Sequence, residues 1–165
     1  MDSSTNTNLL AVIASLVTFT VFCTDVQSQE ANQMTLLASN AAIKWQSAPP
    51  SLPQGTQMVV LNGDPSKAGP FVLRIKFPAN TVVAPHTHTT AENLTVLSGT
   101  LYHGIGEKLD KAQGKRLTRG GFVYLPGRMP HSVWTTKSES IVQVTGTGPF
   151  GLNYVNPADD PSKTR

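Results

Sequence analysis

Residues 71–77 carry the clearest pattern in the chain. Phe71, Leu73, Ile75 and Phe77 alternate with Val72, Arg74 and Lys76, and a period of two predicts a strand with one face in a core and the other near solvent. Further strands are predicted at 92–97, 100–105, 121–125, 131–136 and 140–145, with a weaker one at 57–61 and a last one within 148–154. Gly or Pro sits in most of the short connections, while residues 106–120 form a longer, charged one. No window after residue 28 shows a helical period. Short strands at this spacing predict an all-β sandwich or barrel.

Composition leaves that picture in place. A chain of 165 residues suits one domain, and plentiful Gly (13) and Pro (12) fit turn-rich β structure. The leading segment is different. Residues 9–22 form an apolar run that suits the hydrophobic region of a signal peptide and is short for a bilayer span of about 20 residues. Val26 and Ser28 place small residues before a cut after Ser28. The expected organisation is a cleaved signal peptide at 1–28, a lead-in of strands and loops at 29–69, a barrel at 70–156 and a polar tail at 157–165. The mature protein would then be periplasmic or secreted, with no stable membrane association. Cys23, the single cysteine, leaves with the signal segment, so the domain needs no disulfide.

Charge excludes one class of partner. Residues 1–28 hold Asp2 and Asp25 and no Lys or Arg, so their removal raises the formal charge from +3 to +5. The only dense basic cluster is Lys108, Lys111, Lys115, Arg116 and Arg119, mixed with Glu107 and Asp110. That mixture reads as a solvated hairpin loop, and no nucleic-acid partner is expected.

Candidate chemistry is concentrated in two short segments. Three of the four histidines lie in His86-Thr-His88-Thr-Thr-Ala-Glu92 and in Pro126-Gly-Arg-Met-Pro-His131. On a strand, residues i and i+2 point to the same side, so His86 and His88 can share a ligand. Three imidazoles and one carboxylate suit a first-row divalent metal. A barrel would let these segments meet, with His86, His88 and Glu92 on one hairpin and His131 projecting from a facing strand.

At these residues the chain resembles the cupin superfamily. The first cupin motif, Gly-x5-His-x-His-x3,4-Glu-x6-Gly, is matched by His86, His88, Glu92 and Gly99, with Asn80 in place of the leading Gly. The second, Gly-x5-Pro-x-Gly-x2-His-x3-Asn, is matched by Gly120, Pro126 and His131, with Arg128 at the second Gly and Thr135 at the final Asn. The resemblance covers about residues 70–145. It implies a double-stranded β-helix, or jelly-roll barrel, with metal ligands His86, His88, Glu92 and His131. It also implies a homodimer, because small cupins commonly pair.

The expected cofactor is one divalent transition metal per chain, whether Fe, Mn, Zn or Ni. Glu92 is the candidate catalytic residue, as a ligand that tunes charge or as a general base beside the substrate. His103 shares strand parity with Leu101 and is kept out of the metal set, as a surface histidine or a base behind the ligands. Arg128 is expected as a solvated loop cation, Tyr124 and Trp134 as core or interface residues, and Gln143 as a weak candidate for an inward polar group. The leading reading is an exported small-molecule enzyme with dioxygenase-type chemistry. A non-redox isomerase or lyase, and a ligand-binding or sensing cupin without turnover, are the alternatives.

Overall fold

Ten strands follow one another along the chain: β1 (Gln46–Ser47), β2 (Gln57–Asn62), β3 (Gly69–Phe77), β4 (Val82–Thr87), β5 (Glu92–Ile105), β6 (Lys115–Thr118), β7 (Phe122–Leu125), β8 (His131–Trp134), β9 (Ser140–Gly148) and β10 (Asn153–Tyr154). They come from a computed structural model that describes Met1 and residues 34–163. Residues 2–28 of the expected signal segment lie outside the described residues. Among those described, no helix is long and apolar enough to cross a membrane.

All pairings are antiparallel, in the order β1-β2-β3-β9-β5-β8-β4-β10, and β6 and β7 also pair with β5. The long strand β5 therefore belongs to two half-sheets. Its first part lies between β9 and β7 in a front half that continues through β3 to β1. Its second part lies between β8 and β6 in a back half that continues through β4 to β10. The transfer happens at Gly99, where φ is +76° and a Cβ would sit 2.2 Å from the Glu139 carbonyl oxygen. Only glycine fits that backbone. The segments expected as separate strands at 92–97 and 100–105 are thus one strand bent at its glycine.

Between the halves lies the core. Phe71, Leu73 and Phe77 of β3, Val142 and Val144 of β9, and Leu94 and Val96 of β5 meet Val83 of β4 and Val133 of β8. This is a curled all-β sheet of the cupin-barrel kind. Lys115–Thr118, expected within a charged connection, pair with Thr100–His103 as β6. The loop before β6 closes over Trp134: a Cβ on Gly114 would lie 2.1 Å from the indole Cη2.

Candidate metal centre

The strand that carries His86, and ends one residue before His88, is irregular. Val83 pairs with Val133 and His86 with His131, so Ala84 and Pro85 together oppose Ser132 alone. Such a two-against-one bulge tolerates a residue without an N–H, and Pro85 occupies it. The bulge also shifts parity, so that Val83 and His86, three apart, both face inward. His88 follows two residues later on the same side. All three histidines and Glu92 are buried.

His131 is the direct neighbour of His86 on β8, with ring centroids 4.2 Å apart. It does not project from a facing strand. Glu92 comes from the opposite side, as the first residue of β5 in the front half, paired with Gly146 and Leu125. β4 and β5 are not a hairpin, because residues 88–91 carry the chain from one half-sheet to the other. The three histidines cluster, and Glu92 approaches two of them. Ring nitrogens of His86, His88 and His131 lie within 4.8 Å of one another, and Glu92 Oε2 stands 3.6 Å from His88 Nε2 and 3.5 Å from His131 Nε2. Donors sharing an ion at bond lengths of about 2.1 Å lie roughly 3–4 Å apart.

Each imidazole is held by its far nitrogen. Nδ1 of His86 donates to the Ala84 carbonyl at 2.7 Å, Nδ1 of His88 to Gly151 at 2.8 Å and Nδ1 of His131 to Met129 at 3.2 Å. A carbonyl can only accept, so Nδ1 carries the proton and Nε2 keeps its lone pair. Such bonds orient histidines for metal ligation. Burial keeps the rings neutral as well. It drives His86 well below its ordinary value, aided by the neighbouring imidazoles of His131 and His88. It brings His88 to about 4 and lowers His131.

Burial has the opposite consequence for Glu92, pushing its carboxyl up to about 7. Its Oε2 is fully buried and has no hydrogen-bond partner among the described residues. An orphaned carboxylate oxygen beside the nitrogen lone pairs of His88 and His131 lacks one thing, a cation, and the residues fit a divalent transition ion. His86, His88, His131 and Glu92 would hold it, and when bound it would supply Lewis-acid or redox chemistry at its open coordination positions.

His103 is in the interior, 4% exposed, with its ring stacked on that of His131 at 5.3 Å and 14°. Its Nε2 has no partner among the described residues. It shares strand parity with Leu101, which is fully buried. Gln143 points the other way: its Oε1 accepts from Arg74 Nε at 3.1 Å on the outer face, while Val142 and Val144 face the cavity. Trp134 is buried and stacks on Tyr102 at 5.6 Å, whereas Tyr124 is 59% exposed on β7. Arg128 is exposed, and its backbone N–H donates to the His88 carbonyl at 2.8 Å.

The departures from the cupin motifs have structural answers. Asn80 and Arg128, standing where the motifs carry glycine, both keep left-handed backbone, with φ of +57° and +66°. Thr135 Oγ1, at the final Asn position, accepts from Thr81 N–H at 3.0 Å and donates to the Pro78 carbonyl at 2.5 Å. Asn80 N–H donates to the Thr136 carbonyl, so two departures meet at one turn. Phe150 carries no motif and no sequence signal, yet it stacks on His88 at 4.1 Å and 15°, next to the Gly151 carbonyl that holds the ring.

Comparison with known proteins supports the fold. RemF, a polyketide cyclase from Streptomyces resistomycificus, superposes with a TM-score of 0.64 at 16% identity, over 79% of this chain and 92% of its own. The DMSP lyase DddQ from Ruegeria pomeroyi gives 0.52 at 19% identity, over 66% of this chain and 58% of its own. KdgF from Halomonas sp. gives 0.50 at 18% identity, over 67% and 91%. At such identities the likeness shows the barrel alone. No curated protein matches the chain in sequence. A family profile, described as ChrR Cupin-like domain, matches residues 33–151 and so takes in both histidine motifs and every strand from β1 to β9. The chain belongs to the ChrR cupin-like domain family.

Proposed function

We propose that this protein is a metal-dependent cupin that holds one divalent transition ion on His86, His88, His131 and Glu92 and transforms a small molecule beside it. One observation carries the reading: three clustered imidazoles are pinned through Nδ1, and two of them, His88 and His131, turn bare Nε2 atoms towards a buried carboxylate oxygen that has no hydrogen-bond partner among the described residues. The favoured reaction class is dioxygenation, in which both atoms of O2 enter the substrate and no external reductant is required. The cavity at the site supports this choice. Its only ionisable lining residues, among those described, are the four proposed ligands, so acid–base chemistry has Glu92 and no second group independent of the metal. The alternative, a non-redox isomerase or lyase, would use that same Glu92 as its base. Export to the periplasm or the exterior is part of the proposal and predicts a mature terminus at Gln29.

The test is O2 uptake by the iron-loaded full chain with uncharged catechols and enolised diketones. Dioxygenation predicts one O2 consumed per substrate converted, with both oxygen atoms recovered in the product or products. Turnover that proceeds unchanged under nitrogen would replace this reading with the non-redox one.

A further inference from the structure

The four proposed ligands, three histidines from the back half and Glu92 at the edge of the front half, form the polar part of the lining of a cavity of about 200 Å³. The wall formed by β3 and β9 is of another kind: Leu73, Ile75, Phe77, Val142 and Val144. Among the described lining residues there is no Lys, Arg or Asp, and Ser51 supplies the single hydroxyl. The Ser51 carbonyl is already engaged by the Tyr154 hydroxyl at 2.8 Å. Apart from the Ser51 hydroxyl, the polar side chains of the lining are therefore the proposed ligands.

We propose that this cavity takes a compact molecule with one polar end and an apolar body about the size of a single ring. The polar end faces the imidazole–carboxylate wall, and the body packs against β3 and β9. This assignment rests on the metal reading for its polar end only. Size follows from volume, since an apolar cavity of about 150 Å³ already accommodates benzene. One ring with one or two small substituents fits the observed space. The exclusion of other ligands follows from the apolar wall. A second charged group on the body would be buried without a partner and would lose about two orders of magnitude or more in affinity. Polyols fail for the same reason, since hydroxyls turned towards Val142 and Leu73 find no acceptor.

The experiment uses the zinc-loaded full chain, with zinc content measured on the same sample, and two probes that share a metal-binding head. 4-Methylbenzohydroxamate and 4-carboxybenzohydroxamate differ only in the group at the far end of the ring. The expected result is at least about 30-fold tighter binding of the methyl compound. Equal affinities, a preference for the carboxylate, or no binding of either to protein that holds zinc would overturn the inference and leave the metal reading intact. Toluene binding to the metal-free chain, followed by ligand-observed NMR, tests the apolar body separately. Saturable binding that is lost in Val142→Phe supports the inference even if zinc is absent and the metal reading fails. Absence of toluene binding to the unsubstituted chain overturns it. Should Val142→Phe not fold, the probe pair decides.

Discussion

The two walls of the cavity are buried to a similar degree, and burial does opposite things to them. Along β3 and β9 it removes aliphatic surface from water, which stabilises the fold by about 25 cal/mol for each Å². Along β4, β8 and the start of β5 it strips water from three imidazoles and a carboxylate, which opposes folding until those groups find partners. Three backbone carbonyls answer half of that demand through Nδ1. The Nε2 atoms and Glu92 Oε2 are left for a ligand. One wall is where the protein gains its stability, and the other is where it holds unsatisfied binding capacity.

If the walls are separable, changes to one should spare the other. The largest effect expected is on metal binding. His131→Ala should abolish stoichiometric metal, read by elemental analysis, while far-ultraviolet dichroism stays that of a folded β protein. On the apolar wall, Leu73→Ala should cost about 2–4 kcal/mol in denaturant unfolding, toward the lower end because Leu73 already borders empty space. Its metal content should be unchanged. Loss of metal in Leu73→Ala would show that the two walls act as one unit.

A smaller effect concerns pH in the metal-free protein. Burial holds His88 and His103 at about 4, against 6.5 for a free imidazole. Their contribution to stability is complete above pH 6.5 and is lost as pH falls through 4. Glu92, raised from 4.5 to about 7, runs the other way: its contribution is complete below 4.5 and is lost as pH rises through 7. Two histidines outweigh one carboxylate between pH 6.5 and 4, so the Tm of chelator-treated protein should fall on acidification. His103→Gln should make that fall shallower. A Tm that is flat or rises toward pH 4 would contradict the assignment of neutral buried imidazoles.

The smallest effect tests the turn that leans on the ligand strand. Arg128 holds φ at +66° where glycine is favoured, so Arg128→Gly should stabilise by about 0.5–1 kcal/mol with unchanged denaturant dependence. Metal content should again be the same.

These contrasts also show what a sequence displays and what it hides. The front wall was legible because β3 alternates without interruption, and His86 and His88 were legible as a same-side pair. The cupin motifs point to His131 and Glu92, whose side chains lie beside that pair in the fold. What stayed hidden depends on how strands lie side by side. The bulge at Ala84 and Pro85 changes parity without leaving a trace in the hydrophobic pattern. Gln143 is ambiguous in the sequence because the run Ile141-Val142-Gln143-Val144 carries apolar residues on both faces, and only pairing with Arg74 shows which face is outer. Lys115–Thr118 look like loop by charge, yet they pair with β5 because an exposed edge strand can be as charged as a loop. Phe150 reaches His88 from a segment with no period at all.

The central claim is that the converging histidines and Glu92 form a metal site, and stoichiometry tests it most directly. The measurement is elemental analysis of the full chain, purified without a histidine tag, beside His86→Ala prepared in the same way. The account predicts close to one divalent transition ion per chain in the unsubstituted protein and none retained in the variant. No metal in the unsubstituted protein after reloading, or equal metal in both, would contradict it.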